Sequence, residues 1–333
     1  MIPFSILDLA PVGEGSSVSE ALASTRRMAE RAEALGYHRF WLAEHHGMRG
    51  VSSAATAVVI AHVGNATKTI RIGSGGIMLP NHSPLVIAEQ FGTLEALFPG
   101  RVDLGLGRAP GTDMRTARAL RRDLETTSQN FPNDIQELQI LLGDKLDNQT
   151  VIAVPGMGSH VPLWLLGSSI YSAHLAAALG LPYAFASHFA PDMLLDAIEL
   201  YRARFQPSAQ LDKPYVMAGL MGVGAETDEE AEYLFTSSKR QFVNLRRGTP
   251  GAFPPPVEDM TPYWNEMEKA GVEHTLRYAA VGSVTTVREK LARFVDQTKA
   301  DELIVSMPIH NPEKRLRSLE IFAEARQEMA KAA

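Results

Sequence analysis

The feature that most constrains this chain is a repeated alternation of short apolar runs with longer segments of helical spacing. Ile6–Ala10 is apolar and is ended by Pro11 and Gly13. Ser17–Leu35 then places Val18, Leu22, Met28, Ala29, Ala32 and Leu35 at helical spacing, with Gly36 as the stop. Arg39–Ala43 reads as a second strand and Ala54–Val63 as a small-residue helix. Ile70–Gly73 with Ile77–Leu79 makes a third strand, followed by a helix that Pro84 opens and Pro99-Gly100 closes. Val102–Leu106, Leu163–Leu166, Tyr183–Ala186, Val216–Val223 and Leu303–Ser306 bring the strands to eight, most of them followed by a helix. Strands separated by helices pair in parallel through crossovers. Eight such units within about 250 residues, plus additional chain, fit a (β/α)8 barrel.

The alternation breaks twice. Residues 110–160 hold one long helical pattern, about Thr116–Leu142, and the Gly/Asp/Asn-rich stretch Gly143–Asn148. Residues 248–280 begin with Thr249-Pro250-Gly251 and Pro254-Pro255-Pro256, which cannot be regular structure. The expectation is therefore one α/β domain over residues 1–333, a TIM barrel with insertions after strand 4 and after strand 7. A doubly wound open sheet is the rival. It calls for a Gly-rich first turn, and Ala10–Gly15 offers only G-x-G without the third glycine.

Composition narrows the function classes. The balance of 32 Lys+Arg against 38 Asp+Glu, a net charge of −6, argues against a nucleic-acid partner, because that affinity rests on neutralising phosphates. The absence of cysteine excludes disulfides, thiolate metal sites and a cysteine nucleophile. The start, Met1-Ile2-Pro3-Phe4, shows no signal-peptide pattern, and no run of about 18 apolar residues suggests a membrane span. A soluble, cytoplasmic enzyme is the expectation.

In a barrel of this kind the site lies at the C-terminal ends of the strands. The residues just beyond the apolar runs are Glu44-His45-His46, Gly75-Gly76, Asn81-His82, Gly105-Leu106-Gly107-Arg108, Gly167-Ser168-Ser169, Ser187-His188 and His310. Adjacent side chains diverge in extended backbone, so His45 and His46 cannot share one ligand. A metal would need His45 joined by His82, His188 or His310 and a carboxylate. Either histidine suits acid–base or donor chemistry near neutral pH, and either serves equally as a hydrogen-bonded structural residue. Gly167-Ser168-Ser169 ends a strand and opens a helix, which fits a phosphate or an ordinary N-cap from Ser168, Ser169 or Ser172. Arg108 fits an anion contact or a salt bridge at the rim. Arg115, Arg118, Arg121 and Arg122 read as a solvated face, and Gly248–Asp259 as a lid or an exposed loop.

Four ordered segments carry a resemblance: WLAEHHG (Trp41–Gly47), IRIGSGGIMLPNHSP (Ile70–Pro84), GRVDLGLGRAPGTD (Gly100–Asp113) and LLGSSIYSAHLAAALGLP (Leu165–Pro182). Together they make the chain similar to the bacterial luciferase-like, flavin-dependent monooxygenases, in the subgroup of uncharacterised luciferase-like oxidoreductases rather than luciferase. The resemblance covers nearly the whole chain and implies the same barrel. It implies His45 as the histidine that assists flavin–oxygen chemistry, and Gly75-Gly76 as a non-proline cis peptide behind the flavin ring. It further implies Arg108 and Ser168 as phosphate ligands, with Ser169, Tyr171, Ser172 and Arg118 beside them. Luciferase's reactive cysteine falls on Gly107 and the acid next to its phosphate-binding serine on Gly167. The extra catalytic residues of the alkanesulfonate monooxygenases have no match, so neither light emission nor desulfonation is expected.

What the resemblance implies is a two-component monooxygenase acting with reduced FMN (FMNH2) and O2 on a small organic substrate, served by a separate flavin reductase. A deazaflavin-dependent hydride-transfer enzyme and a non-catalytic flavin-binding protein are the alternatives. Relatives pair as homodimers, and the small-residue helices Ala54–Ala61 and Ala173–Ala178 allow close packing against a second copy or against their own barrel.

Overall fold

The computed structural model describes residues 2–109, 114–120 and 129–332. Eight parallel strands close into a ring: β1 (Phe4–Asp8), β2 (Arg39–Leu42), β3 (Arg71–Met78), β4 (Val102–Gly107), β5 (Leu163–Gly167), β6 (Tyr183–Phe185), β7 (Val216–Gly224) and β9 (Glu302–Ser306). Pairing of β6 with β7 joins the two ends of the sheet. The eight barrel strands are those read from the apolar runs. A ninth, β8 (Ala280–Gly282), was not legible. It pairs with Gly222–Gly224, beyond the part of β7 that pairs with β9, and so lengthens one wall of the mouth.

Helices α1 (Val18–Ala34), α2 (Thr56–Gly64) and α3 (Pro84–Leu97) follow the first three strands. After β4 the described chain carries α4 (Met114–Leu120) and α5 (Phe131–Leu142). The single long helix expected over Thr116–Leu142 is interrupted at Asn130, and 121–128 lie outside the described residues. Pro132 is the reason at the second start, because its ring removes a donor and clashes with a preceding helical turn. Next come α6 (Ile170–Leu179), α7 (Leu194–Arg204), α8 (Asp228–Arg246), α9 (Glu266–Thr275), α10 (Val284–Thr298) and α11 (Pro312–Ala332). Helix α9 was missed although Asn265 and Glu268 form a capping box that the sequence spells out. No described helix is long and apolar enough to cross a membrane.

Inside the ring the lower layer is ionic. Arg39 bonds Asp103 (Nη1 to Oδ2, 2.6 Å) and Glu302 (Nε to Oε1, 3.1 Å), and Arg71 bonds the other oxygen of Asp103 at 2.6 Å. The carboxylates are fully partnered: Trp41 Nε1 donates to Asp103, and Tyr215 and Ser5 donate to Glu302. Charges this deep persist only when paired and hydrogen-bonded. Above them Trp41 and Trp164 meet edge to face at 5.1 Å, with the Arg39 guanidinium 4.7 Å from the Trp164 ring. This tier forms the floor on which the site rests.

Candidate active site

A cavity of about 750 Å3 opens above that floor at the C-terminal ends of the strands. Trp41 and Leu7 form its base, and His45, Gly75, Gly76, Arg108 and Ser168 line its walls together with Ser169, Tyr171 and Ser172. Eight of the nine candidate residues therefore meet in one place. Arg118 lies exposed on α4 and is not among the lining residues.

The backbone after β2 separates the two adjacent histidines. His45 faces the cavity, whereas His46 points to the side, where its Nε2 lies 2.7 Å from Glu44 Oε1. His82 Nε2 reaches the same oxygen at 2.8 Å, and the Met78 N–H donates to Glu44 Oε2 at 3.0 Å. Burial works against the Glu44 charge, but the His46 and His82 contacts and the Met78 N–H outweigh it and hold the carboxyl at about 2. An ionised carboxylate can only accept, so both imidazoles carry a proton on Nε2. Glu44 thus ties the loop bearing His45 to the end of β3 and to the segment before α3. Its hub role was not legible, because nothing local marks a carboxylate whose partners lie 34 and 38 positions away.

The atoms of Glu44, His46 and His82 lie within 4.8 Å of one another, a grouping able to hold a metal ion. The set that a metal on His45 would need is not the one assembled: His46 is turned to Glu44, His188 is across the barrel, and His310 bonds the Glu14 carbonyl. Two hydrogen bonds to one oxygen account for the observed geometry without an ion.

Strand β3 breaks register between Ser74 and Ile77, where Gly75-Gly76 is a cis peptide. A side chain would be crowded at Gly75 and is excluded at Gly76, which faces backbone. A Cβ on Gly75 would lie 2.6 Å from Leu7 Cδ1, and one on Gly76 would lie 2.6 Å from the Gly105 carbonyl oxygen. Bare backbone therefore forms this wall, letting a flat molecule approach closely.

The neighbouring rim, at the ends of β4 and β5, suits an anion. Arg108, at the end of β4, stacks its guanidinium 4.3 Å over the Tyr171 ring at the start of α6. Ser169 is the N-cap, accepting from the Ser172 N–H, while the Ser172 hydroxyl donates to the Ser169 carbonyl. The N-cap and the Arg108 stack together bring a cation, first-turn N–H groups and the Ser168 hydroxyl to one rim. Gly167 is required here: a Cβ would fall 2.2 Å from Ser172 Oγ. At Gly107 a Cβ would fall 2.9 Å from Met78 Sδ.

Apolar residues line the mouth. The Pro-rich segment crosses it at Phe253, whose N–H donates to the Val12 carbonyl and whose carbonyl accepts from the Glu14 N–H. A Cβ on Gly50 would lie 2.8 Å from the Gly251 carbonyl. Met48, Val51, Phe189 and Phe242 add to this apolar surface.

Comparison with known proteins fits this geometry. Residues 2–301 match the family model described as luciferase-like monooxygenase. The chain belongs to the luciferase-like monooxygenase family. A luciferase-like monooxygenase of Escherichia coli (strain K12) is 52% identical over 328 residues, 98% of each chain. The N-acetyl-S-alkylcysteine monooxygenase of Bacillus subtilis (strain 168) is 31% identical, again over 98% of each chain. Among solved structures, apo-MsnO8 superposes with a TM-score of 0.88 at 35% identity, covering 98% of this chain and 99% of that one. As a luciferase-like protein the chain matches these relatives over nearly their whole length.

Proposed function

We propose that this luciferase-like protein is the oxygenase of a two-component monooxygenase, using reduced FMN and O2 on a small, largely apolar organic substrate. The observation that carries this reading is one cavity with three distinct walls: the side-chain-free Gly75-Gly76 face, the Arg108–Ser168 rim and His45. A tricyclic ring needs a flat wall without side chains, which Gly76 supplies because the Gly105 carbonyl leaves no room for a Cβ. A phosphate needs a cation and free N–H groups, which Arg108 and the start of α6 supply. When bound, reduced FMN provides the electrons that let O2 deliver one oxygen atom to the substrate and the other to water.

The chain's own tasks follow. Arg108, Ser168 and Ser169 would hold the phosphate, with Tyr171 and Ser172 supporting them from α6, and Arg118, outside the cavity lining, is left out of the set. His45 offers an imidazole N–H or lone pair at the reacting centre. Glu44 fixes the loop that presents it. Phe253 and its apolar neighbours keep water from the bound ring. The FMN would come from a separate reductase, and the exposed Val58, Val86 and Leu97 on α2 and α3 suit a homodimer contact.

The test is an anaerobic titration with FMN, FMNH2 and a deazaflavin, read by tryptophan emission, since Trp41 lines the cavity floor. Saturable quenching, tightest for FMNH2, is the expected result. Binding of the deazaflavin alone would move the assignment to hydride transfer, and no binding by any of them would overturn it.

A further inference from the structure

His188 follows β6, and its placement is fixed on three sides. The neighbouring Ser187 hydroxyl donates to the Gly219 carbonyl at 2.5 Å, which anchors the turn. The ring lies edge to face with Phe189 at 4.8 Å. Its back rests on β7 at Gly219, where a Cβ would come within 2.7 Å of Nδ1. Only a glycine leaves room for the imidazole.

The ring's hydrogen-bonding capacity is unspent. Nδ1 is sealed from solvent and has no partner among the described residues. Among the described residues Nε2 has no hydrogen bond either, and because Nδ1 is sealed against β7 while His188 lines the cavity, Nε2 is the nitrogen left to open to it. A sealed N–H without an acceptor is the rarer and costlier defect, whereas an unpaired lone pair is tolerated. The proton therefore resides on Nε2, pointing into the cavity. Burial, reinforced by the nearby His45, lowers this imidazole to about 4, so it is uncharged at neutral pH.

Ring order sets what it faces. In the sequence of barrel strands β1-β2-β3-β4-β5-β6-β7-β9, the second and sixth are diametrically opposed, so His45 and His188 look at each other across the mouth. Both rings line the same cavity as Gly75, Gly76 and Arg108, so a molecule that fills it meets both imidazoles. We propose that His188 is a second ligand-binding residue of this site, a neutral donor whose Nε2–H bonds a carbonyl oxygen of the bound isoalloxazine ring. This rests on the flavin reading of the cavity.

Two measurements test it. In protein with 15N-labelled histidine and no flavin, His188 at pH 7 is expected as the neutral Nε2–H tautomer; the Nδ1–H tautomer would overturn the donor role whatever the cavity binds. FMN titrations then compare wild type, His188→Phe and His188→Asn. Loss of one donor to a ring carbonyl predicts about tenfold weaker binding for His188→Phe, with partial recovery in His188→Asn, whose amide can donate. Wild-type affinity in a folded His188→Phe protein sinks the proposal. Failure of the wild type to bind FMN instead sinks the flavin reading and the ring contact with it, leaving the tautomer result to stand by itself.

Discussion

Replacing Glu44 by Gln gives a pH-dependent signature that a mere packing defect would lack. The side chain is 1% exposed and accepts three hydrogen bonds, two on Oε1 and one on Oε2. Its carboxyl is held at about 2 against an ordinary 4.5. That difference corresponds to about 3 kcal/mol of stability at neutral pH. Because the folded-state value is the lower one, the contribution is complete above pH 4.5 and fades as pH falls toward 2. Gln cannot titrate, and it turns an NH2 toward either the Met78 N–H or the two imidazole donors. Urea unfolding followed by tryptophan emission would compare the two proteins at pH 5, 3.5 and 3. The stability gap should narrow by about 1 kcal/mol at pH 3.5 and by about 2 kcal/mol at pH 3. Other carboxyls titrate identically in both proteins and cancel. A gap that stays constant from pH 5 to pH 3 would refute the picture of an ionised hub, whatever the absolute cost of the substitution.

Two further changes probe the walls. Gly105→Ala places a Cβ 2.2 Å from the Ser74 carbonyl oxygen, so β3 and β4 must separate, and a loss of about 3 kcal/mol or more is expected in denaturant unfolding; wild-type stability would mean that the two strands are not so closely apposed. His45→Ala should leave the FMN dissociation constant within about threefold of wild type while changing the rate at which O2 reoxidises bound FMNH2 in stopped flow, since a group acting on the reaction contributes about 100-fold or more; an unaltered rate would assign His45 to structure.

Much of the fold was written in local pattern. Runs such as Leu163–Leu166 are apolar on both faces because helices cover one side and the barrel interior the other, and in Val102–Leu106 the one charged residue, Asp103, belongs to the ionic layer. Pro84 and Gly36 marked helix ends for reasons of backbone geometry alone. The three-residue β8 was invisible, since Ala280–Gly282 carries no run long enough to register a period. The division between α4 and α5 was misjudged because apolar spacing continued across a break that Pro132 enforces. At the site, the glycines could be read as places of close approach, but not against what. That Gly167 yields to Ser172, or that His46 rather than His45 turns to Glu44, depends on partners brought together only by the closed ring.

The tryptophan tier and the ion pairs beneath it give the cavity a solid bottom. A vessel closed below fills from above, and among the described residues that open side is lined by Phe253. Whatever occupies the depth must arrive before whatever rests above it and can leave only afterwards. Arrival and departure are thereby ordered by shape, even between two molecules of equal affinity. A steady-state study of this barrel should find a compulsory sequence of binding rather than a random one.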